Sequence, residues 1–163
     1  EEDMARNLIV SLQDNHAKKS VISSEAPDEV LTVPDASLDL GVPQGVFGKE
    51  MSPVQQSLFR QLVEQIVRTL RGELADDVLA EVSENEWKEL SFAWAGSFEQ
   101  GQGHYYRIQG PSFIIEYDNT QNDANHAHIV WHSLGNNFGL DALRRHYESQ
   151  HDGPHADGVH GQP

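Results

Sequence analysis

Apolar and polar residues alternate most regularly between residues 104 and 132. In 112–118, Phe113, Ile115 and Tyr117 alternate with Ile114, Glu116 and Asp118. In 126–132, Ala127, Ile129 and Trp131 alternate with His126, His128, Val130 and His132. A period of two carried by aromatic and β-branched residues predicts half-buried strands. The intervening 119–125 is rich in Asn and Asp, as turns are. A one-residue slip would flip every side chain, so keeping the apolar faces together sets the pairing. The expected pairs are Phe113 with Trp131, Ile115 with Ile129 and Tyr117 with Ala127. On the opposite face they are Glu116 with His128 and Asp118 with His126. An earlier run, 104–109, joins through Gly110-Pro111. The same logic pairs Ile108 with Phe113 and Tyr106 with Ile115, puts Tyr105 and Arg107 on the polar face, and leaves His104 on the apolar side.

Upstream the period changes to that of a helix. Met4, Leu8, Ile9 and Leu12 predict a helix over 1–20, with acidic residues at its start and Lys18-Lys19 at its end, as the helix dipole favours. Residues 21–50 read as irregular, with a short edge strand over 30–33. Ser52-Pro53 opens a second helix as N-cap and first-turn proline. Its stripe is Val54, Leu58, Leu62, Val63, Ile66, Val67 and Leu70, and it ends near Gly72. Val78, Leu79 and Val82 predict a further helix over 75–88. Residues 90–95 read as a strand, 96–103 as a glycine-rich loop, and 138–149 as a last helix with Leu140, Leu143 and Tyr147 inward. Helices followed by strands, rather than alternating with them, give an α+β fold: N-terminal helices, an antiparallel β-meander (about residues 90–132) and a closing C-terminal helix. Residues 1–150 form a single domain. The segment 151–163, made largely of Gly, Pro, His and Asp, is expected to be disordered.

Charge narrows the partners. The 163-residue chain carries a net charge of −15. Such a chain repels nucleic-acid phosphates and anionic membranes, so neither is expected as a partner. No apolar run is long enough to span a bilayer. There is no cysteine, so disulfides and thiolate ligands are unavailable and any metal must rest on His, Asp, Glu or amide oxygens. The chain starts without Met inside a predicted helix, which reads as a processed or partial chain; the lack of a targeting signal therefore says little about compartment.

The chemistry-bearing residues converge on the polar strand face. A His-x-His pair on a strand puts both rings on one side, and a carboxylate from the neighbouring strand completes a two-histidine, one-carboxylate set with open coordination positions. His126, His128 and Glu116 are the expected ligands of a divalent metal (Zn, Fe or Cu), with His104 a further candidate. Asp118 is a second carboxylate, ligand or general base, and Arg107 a clamp for an anionic substrate. Asn119, Gln121 and Asn125 are expected to shape the loop. Two readings stand. One is a metal-dependent hydrolase or oxidoreductase of unknown substrate. The other is a non-catalytic module that binds a small-molecule ligand or a partner and whose polar sheet face is structural.

The run from Ser91 to Tyr147, with its blocks FAWAG, HYYRIQGP, EYDNTQ, ANHAHIVW and FGLDALRRHY, resembles the domain-of-unknown-function 3500 (DUF3500) family. The resemblance implies that His104, Glu116, Asp118, Asn125, His126, His128 and His146 are motif positions; His132-Ser133 departs from the Arg-Asp usual there. It implies no activity. It also implies that this chain matches the C-terminal half of a longer domain, with an extracytoplasmic setting. Self-association, or pairing with the other half, is then expected.

Overall fold

The computed structural model describes residues 1–32, 42–69, 75–76, 79, 82 and 84–134. Helix α1 (Glu2–Ser20) buries Leu8, Ile9 and Leu12, as its periodicity placed them, together with Ala5, while Met4 is only partly buried. Helix α2 (Pro53–Val67) starts as the sequence predicts: Ser52 caps it, Gln55 reaches back to the Ser52 amide at 2.9 Å, and Pro53 occupies the first turn. Its inward stripe differs from the expected one by a small rotation. Val54 is 70% exposed, and Phe59, which the stripe omitted, is fully buried. The helix expected over 75–88 is not continuous. Ala75, Asp76 and Leu79 are helical, Val82 lies in a bend, and α3 is confined to Glu84–Glu89. The closing helix over 138–149 and the tail over 151–163 lie outside the described residues.

The helices cover one face of a six-stranded sheet. Its strands are β1 (Val21–Ser23), β2 (Val46–Phe47), β3 (Ser91–Gly96), β4 (His104–Gln109), β5 (Phe113–Gln121) and β6 (His126–Ser133). The order is β1-β3-β4-β5-β6, with β2 also paired to β3. From β3 to β6 the sheet is the expected antiparallel meander; β1 joins β3 in parallel and makes the whole sheet mixed. On the helix-covered face, Phe92, Trp94, Tyr106, Ile108, Ile115 and Tyr117 meet α1 and α2 in one core.

Both central registers are displaced by two residues from the expected ones. Ile115 faces Trp131, Tyr117 faces Ile129, Asp118 faces His128 and Glu116 faces Val130; on the other side, Ile108 faces Ile115 and Arg107 faces Glu116. A shift of two preserves which face each side chain takes, and apolar alternation specifies no more than that. The turns decide the rest. Gly110 donates its N–H to the Phe113 carbonyl, so β4 and β5 already pair at Gln109 and Ile114. Strand β5 runs to Gln121 through an irregularity after Asp118, and Asn122, Asp123 and Ala124, all left-handed, turn the chain back. Phe113 and Trp131 still stack at 4.4 Å, as a diagonal pair.

The second sheet face is as dry as the first. Ser91, Ala93, Ala95, Tyr105, Arg107, Gln109, Ile114, Glu116 and Asp118 are all buried. Residues 24–32 and 42–45 run across this face as an irregular strap. Residues 30–32, expected as an edge strand, are part of it and are not a strand. Gly45, at φ +98°, lies directly over β3, where a Cβ would run into the Phe92 carbonyl oxygen and the Ala93 side chain. Gly45→Ala should therefore destabilise the protein by about 2–4 kcal/mol, combining a forbidden backbone angle with overpacking. Urea unfolding checks this; a loss within error of zero would mean that the strap does not lie on β3.

Candidate functional site

Glu116 is at the centre of the covered face. Its side chain projects from β5 toward the strap and is inaccessible to water. One carboxylate oxygen accepts the Leu31 N–H at 2.9 Å and the Tyr105 hydroxyl at 2.5 Å; the other accepts the Thr32 N–H at 2.9 Å and the Thr32 hydroxyl. A buried carboxylate requires such donors, because desolvation otherwise costs several kcal/mol. Burial, reinforced by the adjacent Glu116 charge, pushes the Tyr105 phenol well above its ordinary pKa, so it stays a donor. Arg107, the cross-strand neighbour of Glu116, is also buried and donates to the Gln44 side chain at 3.1 Å. Glu116 and Arg107, expected as metal ligand and substrate clamp, thus bind the protein's own strap.

Reactive groups reach solvent at the rim of this face. The buried Asp118 accepts from His128 Nδ1 at 3.2 Å, while the His128 side chain is 39% exposed. Because a carboxylate only accepts, Nδ1 is the donating nitrogen in this contact and Nε2 is left for other partners. The His126 ring lies edge-to-face with it, 4.6 Å between centroids. A cleft of about 590 Å³ opens here between β6 and the strap, lined by Glu29, Val30, Asp118, Gln121, His128 and Ile129 among others. The three left-handed residues at the β5–β6 turn set the start of β6 and hence His126. Asn122 and Asp123 tolerate that conformation, whereas Ala124 holds it at a cost of about 1 kcal/mol.

The remaining candidates are elsewhere. His104 is on the core face, as its parity predicted, and so opposite Glu116. Its ring stacks on Trp94 at 4.6 Å and on Tyr117 at 5.4 Å, and Nδ1 faces the Gln102 carbonyl oxygen at 3.2 Å. Burial holds its pKa below the ordinary histidine value. Asn119, expected to shape the 119–125 loop, lies instead in β5, and its side-chain oxygen accepts the His104 amide at the start of β4 at 2.8 Å. His132 faces the Thr32 carbonyl oxygen at 3.2 Å and fastens the strap. His146 and the tail histidines lie outside the described residues.

The expected ligand set is therefore divided. His128 meets both the His126 ring and the Asp118 carboxylate, while Glu116 and His104 are taken up by the two interiors. Among the described residues, no three His, Asp or Glu side chains form a group able to hold a metal ion. The sequence reading missed the strap residues Glu29, Val30, Leu31 and Thr32. The available signal was Glu116 itself, an acid in a strand of Phe, Ile and Tyr, which needs donors from somewhere.

A family model described as a protein of unknown function (DUF3500) matches residues 1–140. The match thus includes the N-terminal helices as well as the strand blocks. No curated protein and no solved structure matches the chain.

Two measurements check this arrangement. Glu116→Ala should destabilise by about 3–5 kcal/mol, because it strands the three buried donors of Thr32 and Tyr105 and frees the part-buried Leu31 amide, whereas His128→Ala, at the solvent-reached rim, should cost about 1 kcal/mol or less; comparable losses would contradict the assignment of latch and rim. His104, with its folded pKa depressed below an unfolded value near 6.5, binds protons less readily when folded. Its contribution to stability is therefore complete above about pH 6.5 and is lost as pH falls from there toward the folded pKa. Urea midpoints at pH 7.5 and pH 5 should separate more for the parent than for His104→Phe, and equal separations would show that His104 is not the group responsible.

Proposed function

This chain belongs to the DUF3500 family of proteins of unknown function, and from that premise we propose that it is a non-catalytic binding module whose cleft beside β6 captures a small polar ligand. The observation that carries this reading is the division of labour among the polar residues. Glu116, Tyr105 and Arg107 are consumed inside the fold, while Asp118 presents His128 to solvent at the cleft mouth. Buried Asp118 orients the imidazole. Its Nε2 accepts from a ligand donor, Gln121 and Glu29 add polar contacts, and Val30 and Ile129 supply apolar walls. Polar and apolar groups share this lining about equally, which suits a small polar ligand rather than an apolar one.

The close approach of His126 and His128 supports a second reading, in which the two imidazoles hold a divalent ion and Asp118 orients one of them. Zn(II), Cu(II) and Fe(II) all suit imidazole, and open coordination positions would then serve a hydrolase or an oxidoreductase. Asp118 replaces Glu116 as the relevant carboxylate in this version.

One titration separates the readings. The ¹⁵N-labelled chain, with His151, His155 and His160 changed to Ala, is screened with small polar fragments and separately with Zn(II). The module reading predicts fragment-induced shifts centred on Glu29, Gln121 and His128 that His128→Ala abolishes, and no stoichiometric zinc. Stoichiometric zinc lost on His126→Ala and His128→Ala would establish the second reading. Neither response would show that the cleft is not a binding site.

A further inference from the structure

The strap and the cleft share residues, and their order along the chain couples them. Glu29 and Val30 form the cleft wall opposite β6. The next two residues, Leu31 and Thr32, are held by Glu116 through paired backbone amides and the Thr32 hydroxyl. Two weaker fastenings flank this latch: Thr120 Oγ1 donates to the Asp28 carbonyl at 2.9 Å, and His132 Nε2 faces the Thr32 carbonyl at 3.2 Å. Both come from the strands that carry Asp118 and His128. One side of the cleft is therefore regular sheet. The other is a stretch of irregular chain with no ladder of its own, fixed chiefly by a single carboxylate.

We infer that Glu116 is a positioning residue for the cleft: by gripping the Leu31 and Thr32 amides it sets the Glu29–Val30 wall over His128, and releasing that grip opens the cleft while the sheet stays intact. This rests on the cleft being the working site, but the latch can be tested without any ligand. The geometry favours local opening over global loss. The strap segment contributes no strand, the two amides and the hydroxyl that it donates at Leu31 and Thr32 all go to one carboxylate, and the core on the other sheet face belongs to α1, α2 and the strands. Segments held by few contacts open independently of the global transition. Tyr105 is the complementary half of the device. Its hydroxyl donates to the same oxygen as Leu31, so it holds the carboxylate in place while the strap comes and goes.

Hydrogen exchange on the intact protein reads the latch directly. In Glu116→Gln, which keeps the side-chain shape, the Leu31 and Thr32 amides should exchange faster by about tenfold or more, with Trp94, Tyr106 and Ile115 unchanged. In the same variant, carbethoxylation mapped to His128 by mass spectrometry should accelerate, because the wall no longer screens the ring. Thr32→Val removes only the hydroxyl and should move both readouts the same way by a smaller factor; it also carries the test if Glu116→Gln does not fold. Exchange at Leu31 and Thr32 unchanged in both variants would overturn the latch. So would acceleration spread evenly over the sheet, which would make Glu116 a general support of the fold. Faster exchange without any change at His128 would overturn the coupling to the cleft. None of these outcomes depends on the fragment screen, so failure of the binding-module reading and failure of the latch are distinguishable.

Discussion

A carboxylate inaccessible to water has to be surrounded by donors, and in this protein Glu116 imposes that requirement on everything around it. An isolated buried charge costs more than a domain's whole margin of stability. The sheet supplies one donor, the Tyr105 hydroxyl; the others come from Leu31 and Thr32, far away in sequence. The strap therefore crosses the sheet where it does, and Gly45 is needed where the strap presses on β3. With helices on one face and the strap on the other, every residue of β4 is buried, a pattern more typical of a strand enclosed on both sides than of a half-exposed meander.

The same constraint fixes where chemistry can occur. Residues that look reactive in the sequence are reactive only if they remain accessible and unspent. Glu116 is neither, Arg107 is buried beneath the strap, and His104 lies in an aromatic stack on the opposite face. Among the described candidates, what remains is the rim, where Asp118 stays buried and His128 does not. A buried acid that orients an exposed imidazole is a preorganised hydrogen-bonding group, and its orientation costs nothing further when a partner arrives. The left-handed turn just before β6 is strained at Ala124, and such strain is retained where the surrounding structure demands a particular placement, here that of His126.

Much of the fold was legible from periodicity. The 3.6-residue stripe located α1 and α2, Ser52-Pro53 located the start of α2, residues 90–95 read as the strand that became β3, and period-two alternation located β4 to β6 and the faces of their residues. Registers were legible only to within two residues, because parity is blind to that shift and the turn geometry that resolves it depends on backbone angles at Gly110 and at 122–124. The strap was not legible. Residues 30–32 are apolar and β-branched enough to suggest a strand, yet the Leu31 and Thr32 amides are claimed by a side chain rather than by a neighbouring strand. For the site, the sequence identified the correct sheet face and the pairing of histidines with an acid. It paired Glu116 with His128 and Asp118 with His126, whereas the observed register sets Asp118 opposite His128, since Glu116 and Asp118 share a face and only the register and the strap tell them apart.

The central claim is that Glu116 and Thr32 act as one unit across the strap. A double-mutant cycle on the stability of the intact chain, with Glu116→Gln, Thr32→Val and the combined variant, measures that unit directly. Direct contact between a buried carboxylate and the hydroxyl predicts a coupling of about 1 kcal/mol or more, with the double variant less destabilised than the sum of the singles. Strictly additive losses would mean that the two residues do not meet, and the strap would have to be held by something else.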